Sequence, residues 1–261
     1  MNLLNIAHRG NSAQAPENTL AAFASAAAAG AGMIETDLQL SADGAVVLIH
    51  DQTLDRTGGR VGRVDELTAP ELGQADAGSW FSPIFAGEPI PRLEDLVDFA
   101  ARNTGLRWLL EFKGDWTPDQ AAPAAGMLRD AGLGGRCVLQ GSSPRTLRSL
   151  QAAAPDIDRG LLITLPPAPG EEQHLLGFLA ETGAGYCNPH GGVLEASPQL
   201  VSALQAAGVK VCTWTLNLPE QWAAAAAAGV DGIITDRPAE LAAWIAGTRI
   251  PLDGRGSGGR I

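Results

Sequence analysis

Short apolar or β-branched runs alternate with helical patterns eight times along this chain, and no other feature restricts the fold as much. The runs are "LLNIA" (3–7), "MIETDL" (33–38), "RWLLEF" (107–112), "CVLQ" (137–140), "GLLIT" (160–164), "GYCN" (185–188), "VKVCTW" (209–214) and "GIIT" (232–235). Helical patterns fall at 17–29, 93–103, 118–131, 144–153, 171–182, 197–207, 219–228 and 237–246, several closed by a glycine cap. Eight such units in series predict an α/β fold of the TIM (β/α)8 barrel type, which forms one domain in about 250 residues. A single domain over 1–247 is expected, and 45% hydrophobic residues suffice for its core. The last stretch, 248–261, carries too little apolar surface to offset its ordering entropy and is expected to be a flexible tail.

Two segments interrupt the repeat. "QLSADGAVVLIHD" adds an extra strand behind "MIETDL" through an Asp43-Gly44 turn, a hairpin signal. Residues 52–92, with "GSWFSPIFAGEPIPRL", are too long and too rich in Gly, Pro and aromatics for an ordinary βα loop, and read as a small insertion on the catalytic face.

Side chains on a strand alternate, so Glu35 and Asp37 share a face. If Asp43-Gly44 is a two-residue turn, Ala42 faces Ala45 and His50 comes opposite Asp37, with Cβ atoms about 5 Å apart. A four-residue loop puts His50 opposite Glu35 instead, and only an odd-length loop separates the three. One charged residue on an edge hairpin is ordinarily just solvated, whereas two carboxylates and an imidazole in register suit a hard divalent cation and a proton-transfer group. Glu111 ends the buried run "RWLLEF" and supplies a third carboxylate at the same end of the barrel, and Lys113 shares its face, in reach of a phosphate oxygen. His8 and Arg9 close the first strand, Gly10 permits a sharp turn, and "PENT" leads into the first helix.

The linked stretches "HRG", "PENT", "E-x-D", "DG", "HD", "L-x-RT", "LEFK", "VCTWTLN" and "GVDGIITDRP" resemble the glycerophosphodiester phosphodiesterases over about residues 5–245. The resemblance implies that Glu35, Asp37 and Glu111 ligate one divalent cation, Mg²⁺ or Ca²⁺. His8 and His50 would be the general acid and base, Arg9 and Lys113 would bind phosphate, and Trp214 would line the glycerol side of the pocket. It implies metal-dependent cleavage in which the glycerol 2-hydroxyl attacks and water opens the cyclic phosphate, giving glycerol 3-phosphate and an alcohol. Gly58 stands where the family has a second Thr, "QGSS" (140–143) replaces its "SF", and Arg92 replaces a Thr; none removes a proposed ligand, and the last two bear on the alcohol side. Glu171, Glu172 and His174 read as solvated surface, and His190 as a possible rim residue.

A net charge of −11 argues against a nucleic-acid partner, because a polyphosphate needs a surplus of Lys and Arg. Cys137, Cys187 and Cys212 lie apart without CxxC spacing and read as buried free thiols in a reducing compartment. No signal peptide and no apolar run long enough to span a bilayer is visible, so the expectation is a cytoplasmic protein acting on a small glycerophosphodiester, without stable membrane association. Two rivals are a related barrel phospholipase D acting on lysophospholipid or sphingolipid head groups, for which Trp80, Phe81 and Phe85 are the candidate contacts, and a non-catalytic phosphodiester-binding barrel.

Overall fold

A computed structural model describes residues 3–168 and 170–248. In chain order the elements are β1 (Leu4–His8), α1 (Leu20–Ala28), β2 (Met33–Leu40), β3 (Val46–Leu48), α2 (Ala69–Leu72), α3 (Leu93–Arg102), β4 (Arg107–Phe112), α4 (Pro118–Asp130), β5 (Cys137–Gly141) and α5 (Pro144–Ala153). They continue with β6 (Asp158–Ile163), α6 (Glu172–Thr182), β7 (Tyr186–Pro189), α7 (Gly191–Ala196), α8 (Gln199–Ala206), β8 (Lys210–Thr213), α9 (Pro219–Ala227), β9 (Gly232–Thr235) and α10 (Pro238–Thr248). Eight strands run parallel in the order β1-β9-β8-β7-β6-β5-β4-β2, and a β1–β2 pairing closes them into the expected barrel. The helices form where the sequence supplies caps: Thr19, Thr117 and Ser143 accept a first-turn N–H at the starts of α1, α4 and α5. Of the expected tail, only Thr248 lies among the described residues, as the end of α10.

Strand alternation divides the core into two layers. Ile6, Met33, Leu109, Val138, Tyr186, Cys212 and Ile234 fill the barrel's interior. Their sequence neighbours point outward: Ile34, Leu38, Trp108, Leu110 and Phe112 pack under α1, α3 and α4, where Trp108 meets Phe23 and Phe99 edge-on at 5.5 and 6.0 Å. The three cysteines are buried and unbridged, and burial pushes each thiol up to about 12. No helix among the described residues is long and apolar enough to cross a membrane.

The hairpin departs from the expected register. β2 and β3 pair Leu38 with Leu48 and Leu40 with Val46, and Ser41 N–H donates to Ala45 O at 2.9 Å. That leaves three loop residues, Ala42–Asp43–Gly44, with Gly44 at φ +78°. The turn is therefore odd-length, and Ile49 rather than His50 sits across from Asp37, with its N–H on Asp37 O at 3.2 Å. An αL glycine in the third loop position stabilises this closure as well as Asp-Gly stabilises the two-residue one. The insertion packs its own small core, Leu54, Val64, Leu72 and Ile90, against Val47 and Ile49. Gly58 fits there because a Cβ would lie 2.7 Å from Leu54 Cβ, which leaves no room for the family's Thr.

Candidate active site

The same inward alternation that fills the barrel with Ile6, Met33 and Leu109 turns polar two residues further along each strand. Ile6 is followed on its face by His8, Met33 by Glu35 and Asp37, Leu109 by Glu111, and Ile234 by Asp236. Parallel register puts His8 beside Glu35 and Asp37 beside Glu111. The polar groups thus gather at the carboxyl ends of the strands, where barrel enzymes place their chemistry.

Glu35, Asp37 and Glu111 each offer an oxygen within 4.8 Å of the others. Glu35 and Asp37 are 2% and 1% exposed, so their charges are nearly stripped of water. Lys113 Nζ lies 3.0 Å from Glu111 and 3.6 Å from Asp37, and Arg9 Nε lies 3.3 Å from Asp37. Burial alone would raise Asp37, yet the Arg9 and Lys113 cations hold it below the usual carboxylate range. Burial, reinforced by Asp37, pushes Glu111 up to about 7, and burial with both neighbours pushes Glu35 well above its ordinary value. Three oxygen donors with more negative charge than the nearby cations neutralise fit a hard divalent cation.

Each candidate histidine is fixed from behind. His8 Nδ1 meets Asp236 Oδ1 at 2.6 Å, and His50 Nδ1 meets Asp51 Oδ1 at 2.6 Å. A carboxylate accepts, so the proton sits on Nδ1 and each Nε2 is left for chemistry. His8 Nε2 lies 4.0 Å from Glu35. Burial pushes His50 below the ordinary imidazole value, which favours its neutral, proton-accepting form. Burial would raise Asp236, but hydrogen bonds from His8, Asn217 and Ser12 bring it to about 2; Arg56 and then His50 bring Asp51 to about 2. These depressed values stabilise the fold above pH ~3.8 and lose that effect as pH falls towards 2. At about 1–2 kcal/mol each, after screening at part-exposed positions, the melting temperature should drop by roughly 5–10 °C between pH 4.5 and 2. Calorimetry of Asp51→Asn and Asp236→Asn should show a shallower acid limb; an unchanged limb in both would refute the assignment.

The first βα turn is built around the carboxylates. Arg9 adopts φ +55°, which aims its backbone N–H at Glu35 Oε2, 3.0 Å away. Gly10 follows at φ +85°, where a Cβ would lie 2.7 Å from Ala22 Cβ, so only glycine lets α1 approach this closely. Asn18, at φ +58°, donates from Nδ2 to Asp37 at 2.8 Å and accepts at Oδ1 from Thr36 and the Asp37 N–H. Left-handed backbone at Asn18 is why α1 starts at Leu20 rather than at residue 17.

His50 reaches the site although the strand does not carry it there. β3 ends at Leu48, and Gln39 Nε2 donates to the carbonyls of Ile49, His50 and Asp51 at 3.1, 2.8 and 2.6 Å, holding the departing chain against β2. A cavity of about 220 Å³ is then lined by His8, Arg9, Glu35, His50, Glu111 and Lys113, with Trp214 and Gln140 among the residues on its other side. Trp214 is steadied by its indole N–H on Asn188 O at 2.7 Å. Arg92 does not line this cavity; it precedes α3 and pairs with Val47. His190 is exposed, caps α7 and stands edge-on to Trp214, while Glu171 and His174 are surface residues as expected.

Asp51, Asp236, Asn18, Glu17 and Arg56 also touch the candidate site directly or through one another, and residue type alone does not mark them in the sequence. A signal existed for Asp236, since the i, i+2 rule from inward Ile234 reaches it and the closed barrel brings β9 beside β1.

Comparison with known proteins gives a consistent result. The model of the glycerophosphoryl diester phosphodiesterase family matches residues 8–240. A glycerophosphodiester phosphodiesterase of Caldanaerobacter subterraneus subsp. tengcongensis is 35% identical over 92% of this chain and 97% of its own. An Oleispira antarctica phosphodiesterase, solved in complex with the product sn-glycerol-3-phosphate, superposes with a TM-score of 0.83 at 30% identity, over 92% of this chain and 96% of that one. A glycerophosphodiester phosphodiesterase from Agrobacterium tumefaciens str. C58 gives 0.79 at 29% identity, over 93% and 100%.

Proposed function

This chain belongs to the glycerophosphoryl diester phosphodiesterase family and is a phosphodiester hydrolase; from that premise we propose that it cleaves small glycerophosphodiesters to glycerol 3-phosphate and an alcohol, using one divalent cation, Mg²⁺ or Ca²⁺. The observation that carries this reading is the convergence of Glu35, Asp37 and Glu111 within 4.8 Å, beside two histidines with free Nε2 atoms. The sn-glycerol-3-phosphate held by the Oleispira relative supports the product.

Glu35, Asp37 and Glu111 would hold the cation, which when bound supplies Lewis-acid neutralisation of charge on the nonbridging phosphate oxygens. Arg9 and Lys113 would add fixed positive charge around those oxygens. One histidine, neutral, takes at Nε2 the proton of the glycerol 2-hydroxyl as it attacks phosphorus, and the other, carrying a second proton on Nε2, gives it to the departing alkoxide; with the roles reversed, water opens the resulting cyclic phosphate to glycerol 3-phosphate. Trp214 would flank the glycerol moiety. Residues 1–247 would act as one catalytic unit, with a dissolved substrate and a cytoplasmic setting; three buried unbridged cysteines support that setting.

Release of glycerol 3-phosphate from glycerophosphocholine, measured with Mg²⁺, Ca²⁺ or chelator, tests the reading. Turnover with one of the cations and loss of turnover with chelator are expected; no turnover under any condition would overturn it. Ile84, 83% exposed, and Trp80, edge-on to Phe81, which is itself edge-on to Phe85, offer apolar surface suited to a lysophospholipid chain. Turnover of lysophosphatidylcholine in place of glycerophosphocholine would favour that second reading.

A further inference from the structure

Arg56 stands at the start of the insertion, and its guanidinium is shared between two carboxylates that serve different parts of the site. Nε donates to Asp51 Oδ2 at 2.7 Å and Nη2 to Asp51 Oδ1 at 3.2 Å. Nη1 and Nη2 donate to the two oxygens of Glu17 at 2.7 and 2.8 Å. Asp51 in turn holds His50 Nδ1, and Glu17 accepts from Arg9 Nη1 at 2.8 Å. The four donor contacts use the planar fork on both of its edges, a geometry an ammonium cannot reproduce.

We propose that Arg56 is a positioning residue for the reaction, setting the orientation of His50 through Asp51 and of Arg9 through Glu17. The proposal rests on the function proposed above. Without Arg56, Asp51 loses the partner that fixes its carboxylate plane, so it turns away from His50 Nδ1 for part of the time, and Glu17 is free to turn away from Arg9. Both the proton-transfer nitrogen and the phosphate-facing guanidinium then sample more than one position. A misplacement of this kind lowers the rate of the chemical step more than it weakens binding. The insertion thereby has a defined part in the site, since it carries the residue that ties the hairpin's His50 to the first βα turn.

Arg56→Gln and Arg56→Lys test this against Arg63→Gln, an exposed insertion arginine whose guanidinium, among the described residues, pairs with Asp65 and Glu66. Nitrogen NMR of labelled histidine, recorded without substrate, should show His50 as the single Nδ1–H tautomer in the wild type and as a mixture in Arg56→Gln. The same variant should lose about 10–100-fold in kcat with KM changed far less, as removal of an orienting outer-shell partner does. Added guanidinium should restore part of the rate to Arg56→Ala, and Arg56→Gln should cost little more in an Asp51→Asn background. A His50 tautomer unchanged in Arg56→Gln would overturn the proposal whatever the rate, as would a kcat equal to that of the Arg63→Gln control. A wild type that turns over no diester would instead fail the functional reading, and the tautomer measurement would still decide the placement of His50.

Discussion

His8→Gln and His50→Gln should each lower kcat on glycerophosphocholine by about 10²–10⁴-fold, the range lost with a general acid or base. The two variants should part company on a diester with an activated leaving group, such as a nitrophenyl ester of glycerol phosphate. Nitrophenoxide is a weak enough base to depart without being protonated, so the variant lacking the acid should recover most of its rate. The variant lacking the base should stay slow, because the attacking hydroxyl still needs to lose its proton. Steady-state kinetics on both substrates reads this out. Two variants that respond alike would refute a division of labour between the imidazoles. Glutamine keeps a hydrogen-bonding group near Asp236 or Asp51, so the loss would report proton transfer rather than a collapsed pair.

Cation binding should also stabilise the fold, in a manner independent of turnover. Three carboxylates that crowd one another at the strand ends repel until a cation binds among them, so the folded chain binds it and the unfolded chain does not. At a hundred times its dissociation constant the cation should add about 2.7 kcal/mol, or roughly 5–11 °C for a chain of this size. Glu35→Gln and Asp37→Asn should both abolish the shift, but Glu35→Gln should melt no lower than the metal-free wild type, since it removes a repelling charge, whereas Asp37→Asn should melt lower, since Arg9 and Lys113 lose the carboxylate they hold ionised. A melting temperature indifferent to Mg²⁺, Ca²⁺ and chelator would remove the basis for a resident cation.

The strands are legible because their runs are short and apolar or β-branched, and the observed β4, from Arg107 to Phe112, coincides with the apolar run "RWLLEF". The carboxylates were legible because alternation is a local rule. The hairpin was not: whether Asp43-Gly44 closes two residues or three depends on which loop position takes the left-handed conformation, and Gly44 fits either. His50 lines the cavity by another route, through Gln39 and the bend after Leu48, which depend on contacts with Pro91 far along the chain. The carboxylates behind the histidines, Asp51 in "HD" and Asp236 in "TDRP", are not marked by their residue type, because their role appears only once an imidazole stands beside them.

The bond between His8 and Asp236 spans 228 positions of sequence. During synthesis, β2 and β4 leave the ribosome with all three carboxylates long before β9 exists. A nascent chain halted at α9 would hold the acidic cluster but have no residue to set its first imidazole, and its barrel would still be open between β1 and β8. The last strand to emerge thus closes the barrel and completes the His8–Asp236 pair in one event.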